Sequence, residues 1–195
     1  MLKAGITGGI GSGKTTVCKI FETLGIPIYY ADDRAKWLMS NDADLISAIR
    51  KAFGEEAYTP EGQLNRAYLA KVAFNDAEKL AQLNAIVHPA VFRDGLQWHE
   101  AQAGAPYTLR EAALLFESGS YRAIDKMIVV TAPLEVRIQR VMERDGVPKE
   151  AVLARIGKQW PEEEKVKRAD FVIDNSGDHL LIPQVLKVHQ ALLGF

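Results

Sequence analysis

The feature that most constrains this chain is the stretch Gly8-Gly9-Ile10-Gly11-Ser12-Gly13-Lys14-Thr15. It has the spacing G-x-x-x-x-G-K-[ST], a loop that turns successive backbone N–H groups inward around a phosphate. Glycines permit the backbone conformations this requires. Lys14 would reach the β- and γ-phosphates as a point charge, and the Thr15 hydroxyl would ligate Mg²⁺. Such a loop needs a buried strand before it and a helix after it whose positive end faces the anion. Leu2–Thr7 reads as that strand. Val17, Ile20, Phe21 and Leu24 then recur at i, i+3, i+4 and i+7, one face of a helix, and Gly25 stands where its C-cap belongs.

Composition bounds the rest. The 195 residues suffice for one substantial core, with room for an inserted subdomain. A formal net charge of -1 gives no electrostatic footprint for nucleic acid or an acidic membrane, so an anion site must be built locally. The single cysteine, Cys18, permits no internal disulfide and fits a reducing compartment. Inside the first helix it reads as a small packing residue. No apolar run approaches the ~18 residues of a membrane span. With Leu2 already in a strand, no leader is expected. A cytoplasmic protein, monomeric or weakly homo-oligomeric, is expected.

Pro27–Tyr30 is a second short apolar run, ending at Ala31-Asp32-Asp33. In open α/β sheets ligands sit outside the carboxyl ends of strands, which puts Asp32 or Asp33 near bound phosphates. Two readings stand. One is a carboxylate that takes a substrate proton or holds Mg²⁺ through water; the other is a helix N-cap. From Arg34 to about Ala103 the pattern is helical, with segments near 33–40, 43–53, 65–75 and 77–102 and a turn at Tyr58–Gly62. That is far more chain than a βα crossover needs, so it reads as a helical insertion that holds the non-reacting part of a substrate. His88-Pro89 predicts a kink or break in the longest helix. A lone histidine such as His88 is more often structural than catalytic. Trp37, Trp98 and Trp160 read as packing residues.

Tyr107–Ala112 reads as a third strand. Its Glu111 is either a second carboxylate facing the phosphates, able to hold Mg²⁺ through water, or a strand-end acid paired with Arg110. Glu117, closing Ala113-Leu114-Leu115-Phe116-Glu117, either caps a short helix or contacts substrate. Asp125–Thr131 is the clearest buried strand, and Pro133 opens a helix with an apolar stripe at Leu134, Ile138, Val141 and Met142. Arg137, Arg140 and Arg144 lie at i, i+3 and i+7 on a neighbouring face. Beside a phosphate loop they read as a triphosphate clamp, ahead of a solvated face paired with Glu135 and Glu143. Residues 148–169 form a helical hairpin broken at Trp160-Pro161 and bearing Arg155, Lys158, Lys165, Lys167 and Arg168. A basic lid and a mixed-charge surface pair are equally open readings. Phe171–Ile173 is a last strand. The final helix carries Leu181, Val185, Val188 and Leu192 on one face, with Pro183 in its first turn or marking its true start.

In order and spacing these motifs resemble the dephospho-CoA kinase family over nearly the whole chain. The family's T-G-G-I-G-S-G-K is Thr7–Lys14, and its D-A-D is Tyr30-Ala31-Asp32, keeping the second acid and losing the first. G-x-L-[DN]-R is Gly62–Arg66 and H-P is His88-Pro89. P-L-L-F-E is Ala113–Glu117, with alanine for proline. Q-R-x-x-x-R is Gln139–Arg144, A-R-I-x-x-Q is Ala154–Gln159, and A-D-x-V-I-D-N-S-G is close to Ala169–Gly177.

The resemblance implies one P-loop kinase domain over 1–195: an α/β three-layer sandwich on a five-stranded parallel sheet. The core would be 1–32, 105–147 and 170–195, the helical CoA-binding insertion about 33–104, and the lid about 148–169. It implies phosphorylation of the ribose 3′-hydroxyl of dephospho-CoA by ATP with Mg²⁺. Gly8, Gly9, Gly11, Ser12, Gly13, Lys14, Thr15 and Thr16 would cradle the ATP phosphates, with Arg144 and Asn175 also on the nucleotide. Lys14, Asp32 and Arg140 would be catalytic. Asp32, Arg66, His88 and Glu117 would face dephospho-CoA. A kinase of the nucleoside or shikimate type would share the loop and lid but not need the insertion's motifs. A GTP-dependent switch should carry N-K-x-D, and no Asn in this chain is followed by Lys.

Overall fold

The computed structural model describes residues 1–73 and 76–194. It divides into two compact units, Met1–Tyr30 with His99–Phe195, and Ala31–Trp98. In the first unit the strands are β1 (Leu2–Thr7), β2 (Ile28–Tyr30), β3 (Tyr107–Glu111), β4 (Lys126–Thr131) and β5 (Phe171–Asp174). They pair in the order β2-β3-β1-β4-β5, every pair parallel. The central strand β1 thus delivers the glycine-rich loop to the middle of the sheet's carboxyl edge. Ile6 lies in register with Glu111 on one side and Ile128 on the other.

Parallel strands buried on both faces read as unbroken apolar runs, and Met127-Ile128-Val129-Val130 is buried throughout. The helices of this unit are α1 (Lys14–Thr23), α6 (Leu134–Asp145), α7 (Lys149–Ile156), α8 (Glu162–Val166) and α9 (Leu181–Leu193). Val17, Cys18 and Phe21 of α1, with Val185, Val188 and Leu192 of α9, close one face of the sheet over Ala4, Ile6, Leu109, Ile128 and Ile173. Gly25, at φ 78°, ends α1 as expected: its N–H donates to Glu22 O and that of Ile26 to Phe21 O. Cys18 is fully buried, and burial pushes its thiol well above the ordinary range, so it packs and does not react. Pro183 does lie in the first turn of α9.

The second unit holds α2 (Ala31–Asn41), α3 (Ala43–Phe53), α4 (Arg66–Ala73) and most of α5 (Ala77–Glu100). The expected final residues of α4, 74 and 75, lie outside the described residues. Asp42 caps α3 by accepting the Leu45 N–H at 2.8 Å. Arg34 of α2 donates to Asp94 of α5 at 2.9 Å, and Tyr58 donates to Met39 O at 2.7 Å. The Tyr58–Gly62 turn is closed by Gly62 N–H on Thr59 O and Thr59 N–H on Gln63 O.

Of the kink or break expected at His88-Pro89, the break does not occur: α5 runs through both residues. Proline costs an internal helix about 3 kcal/mol. Here Leu83, Val87, Ala90 and Val91 are buried on one face on both sides of it, and helical stability comes mainly from such a packed face. No helix among the described residues is long and apolar enough to cross a membrane.

Phe21 is wholly buried between α1, the sheet and α9. Phe21→Ala should lower the unfolding free energy by about 3–5 kcal/mol, read from a shift of the urea midpoint at unchanged slope.

Candidate active site

From the carboxyl end of β1 the chain turns through Gly8–Gly13 into α1. Gly11 and Gly13 take φ values of 80° and 92°, the left-handed region that glycine alone adopts freely. Space forbids a side chain as well. A Cβ on Gly11 would collide with the Arg137 carbonyl oxygen, and one on Gly13 with the Asn175 amide nitrogen. The Asn175 amide donates to Ser12 O at 2.8 Å, and the Ser12 N–H donates to Gly9 O at 3.0 Å. No side chain caps α1, whose N-cap is Gly13, so its first-turn N–H groups point out of the helix end. Lys14 Nζ arches back to donate to Gly8 O at 3.1 Å. The result is a concave, positively polarised backbone with an ammonium group across it and the Thr15 and Thr16 hydroxyls on the exposed first turn.

Behind the loop the three arginines of α6 have different surroundings. Arg137 is buried, its guanidinium lying against Gly9 and donating to Glu162 at 2.7 Å. Burial outweighs the Arg137 charge and lifts the Glu162 carboxyl above its ordinary value. Arg144 is exposed and donates to Asp145, which Arg155 also meets at 2.7 Å. Hydrogen bonds from Arg144 and Arg155 hold the Asp145 carboxyl down at about 2. Arg140 is half-buried between them, and its Nη1 is buried without a hydrogen-bond partner among the described residues. The apolar stripe is also narrower than expected. Ile138 and Val141 are buried, while Leu134 and Met142 are exposed.

Glu111 is buried at the carboxyl end of β3, in register with Ile6 and Tyr30. Successive strand residues face opposite sides, so Arg110 leaves the other face, its guanidinium 5.4 Å from the centre of the Tyr29 ring.

Glu117 does not cap the short 3-10 turn that follows; Gly119 holds that position without a side-chain bond. Its Oε1 accepts the Trp160 N–H at 2.7 Å and pairs with Lys165 Nζ at 2.8 Å. Lys165, expected among the exposed basic residues of the hairpin, is fully buried. Trp160 stacks on Phe116 with centroids 5.9 Å apart. Gln159 accepts the Ile10 N–H at 2.8 Å and donates to Ala113 O at 3.3 Å. Lys165, Arg137 and Gln159 are the residues whose positions the sequence pattern did not disclose. Helix α8 is too short to show a period, and Gln159 precedes it in an irregular turn.

The remaining expected residues lie in the second unit. Asp32 is exposed in the first turn of α2, two residues beyond the end of β2. Since α2 starts at Ala31, Asp32 and Asp33 are not its cap. They sit inside the first turn, where the helix dipole favours acids, and Asp33 pairs with Lys36 at 2.7 Å. Arg66 heads α4 and is exposed, as is His88 on α5. No group of three or more His, Cys, Asp or Glu able to hold a metal occurs among the described residues.

A central parallel strand that feeds a glycine loop, an uncapped helix and a lysine defines a P-loop nucleotide-binding fold. The comparisons narrow the class. The sequence model of the dephospho-CoA kinase family matches residues 2–180. A dephospho-CoA kinase of Salinibacter ruber is 45% identical over 179 residues, 91% of this chain and 90% of that one. One of Geobacillus kaustophilus is 42% identical over 178 residues, 90% and 89% of the two chains. A solved dephospho-CoA kinase from Campylobacter jejuni superposes with a TM-score of 0.71 at 29% identity, covering 98% of this chain and 97% of its own. The chain belongs to the dephospho-CoA kinase family. Nothing in these likenesses favours a kinase of the nucleoside or shikimate type.

Removing one member of a buried ion pair costs about 3–5 kcal/mol, whereas replacing both by apolar groups is close to neutral. Glu117→Ala should therefore destabilise strongly in urea unfolding. Glu117→Leu combined with Lys165→Met should recover most of that loss, short of the Trp160 N–H that loses its acceptor.

Proposed function

We infer that this chain transfers the γ-phosphoryl group of ATP to the ribose 3′-hydroxyl of dephospho-CoA, giving CoA and ADP. The observation that carries the reading is the uncapped start of α1 under a glycine loop, with Lys14 folded over it. Lys14 donates to the Gly8 carbonyl beside the loop, and a bound phosphate would give the same ammonium an anionic partner. Family membership supplies the acceptor.

The roles follow from phosphoryl-transfer chemistry, which is mostly positioning and charge stabilisation. The N–H groups of the Gly8–Thr16 segment hold the phosphates. Lys14 stabilises charge on the transferring group. Arg140, with a buried Nη1 that lacks a partner among the described residues, meets the equatorial oxygens, and Arg144 lies one turn further along the same helix. Asn175 acts on the nucleotide site through the Ser12 carbonyl that it holds. Asp32, just past the end of β2, orients the acceptor hydroxyl or takes its proton as the O–P bond forms and the bond to ADP breaks. Arg66 and His88 hold the part of dephospho-CoA that does not react, so that its binding energy aligns the ribose. Glu117 serves the acceptor side; its Oε1 is engaged, and its Oε2 has no hydrogen-bond partner among the described residues.

The donor set suits Mg²⁺. It is a hard cation that keeps several waters and is held by few protein oxygens plus substrate phosphates, so no preformed cage is needed. Thr15 would supply a hydroxyl, and Glu111 or Asp32 a carboxylate through water. The ion would neutralise charge on the β- and γ-oxygens. The reading calls for ATP and dephospho-CoA as partners, no nucleic acid or membrane, and a cytoplasmic setting where ATP is supplied.

Incubation with ATP, Mg²⁺ and dephospho-CoA should yield a product one phosphate heavier by mass analysis. Chelation by EDTA should stop it. At saturating substrates, Asp32→Asn should slow the single-turnover rate roughly 100- to 10,000-fold. Arg140→Ala and Lys14→Ala should each slow it by about 100-fold or more. Rates near wild type would remove the residue concerned from the mechanism.

A further inference from the structure

We propose that Gln159 is a positioning residue for the phosphate loop, holding the Ile10 peptide so that the following N–H groups stay turned toward the nucleotide. The proposal rests on the ATP reading above. The Gln159 amide uses both ends. Oε1 accepts the Ile10 N–H at 2.8 Å, and Nε2 donates to Ala113 O at 3.3 Å in the segment after β3. One side chain thus ties the loop to the chain that leaves the neighbouring strand. Ile10 is gripped a second way: its side chain packs against Ile138, Val141 and Val152, a small apolar cluster between α6 and α7. The residue just before it is held as well, since Arg137 lies on Gly9 and is locked by Glu162.

These contacts divide the loop in two. Gly9 and Ile10 belong to the scaffold, their backbone fixed by Arg137 and Gln159. Gly11 and Gly13 follow, and their N–H groups have no acceptor among the described residues. A peptide unit is planar, so fixing the Ile10 N–H direction fixes the Gly9–Ile10 peptide, and with the Ile10 side chain also packed, the chain enters Gly11 from a set position. Release of Ile10 would let the flexible glycines sample conformations in which their N–H groups diverge, and the phosphates would have to pay that ordering cost on binding. The arm that reaches Ile10 comes from 157–161, a turn itself pinned at Glu117 through the Trp160 N–H. Gln159 therefore carries the position of the 148–169 hairpin into the loop without touching the nucleotide.

The test uses the whole protein and Gln159→Ala. Without nucleotide, exchange of the Ile10 amide hydrogen should be at least about tenfold faster in the variant, as expected for loss of a hydrogen bond that protects it. With nucleotide, the KM and calorimetric Kd for ATP should rise about tenfold, while the KM for dephospho-CoA stays within about twofold. A merely structural residue would lower the melting temperature and leave the ATP constants of the folded enzyme unchanged; that result overturns the proposal. Unchanged Ile10 exchange overturns it equally. Absence of ATP binding in the wild type would instead overturn the reading on which it rests. If Gln159→Ala does not fold, Gln159→Met keeps the volume, removes both hydrogen bonds and is held to the same outcomes.

Discussion

The structure depends on how closely side chains crowd the glycine loop from outside. An anion site made of backbone N–H groups is useful only if those groups are already turned inward, because the cost of turning them would otherwise fall on binding. Glycine permits the turn but does not enforce it. Enforcement comes from Arg137 against Gly9, its carbonyl against Gly11, and Asn175 against Gly13. Gly11 and Gly13, whose φ values already favour glycine, also lack room for a side chain, and Gly9 lacks room alone. The loop is a mobile sequence held in one shape by a rigid surround.

That surround is largely polar, which is unusual for a packing role. Glu111, Arg137 and Lys165 are the charged residues buried among the described ones, and two of them answer to acids, Glu162 and Glu117. Buried pairs of this kind contribute little net stability, since desolvation offsets most of the attraction. What they supply is direction. An apolar side chain at Arg137 could fill the space over Gly9 but could not be fixed by Glu162 at a set distance. One at Glu117 could not accept the Trp160 N–H. The geometry of the hairpin turn, and through it the position of Gln159, is written in hydrogen bonds with fixed angles.

Much of this was legible from residue order. Strand β4 announces itself by four consecutive apolar residues, and α1 by its i, i+3, i+4, i+7 face with a glycine stop. The helical stretch between β2 and β3 was visible because its apolar residues keep a helical period, and the order of the family's motifs pointed to the chemistry. Where local rule and tertiary packing conflicted, packing won: Pro89 sits inside α5 because apolar residues on both sides of it are buried. The buried charges were not legible. Arg137 and Arg144 share a helix face by spacing, yet one end of that face runs under the loop and the other into solvent. No periodicity records where a helix passes beneath another element. Lys165 fails the pattern for a simpler reason, since a five-residue helix with four charged positions has no apolar face to mark its inside.

A division of labour follows from where charge is satisfied and where it is not. Arg137, Arg144, Arg155 and Lys165 each have an acid within 2.8 Å, so their charge is spent on the protein. The Nη1 of Arg140 is buried and has no acceptor among the described residues, a costly condition for a guanidinium unless another group completes it. A protein with net charge -1 has no general field to draw a polyphosphate in. It must concentrate its attraction at one place, and Asp145, Glu162 and Glu117 accomplish this by neutralising the cations that surround it. The attraction for an anion is therefore concentrated at the loop, Lys14 and Arg140, because the neighbouring positive charges have already been cancelled.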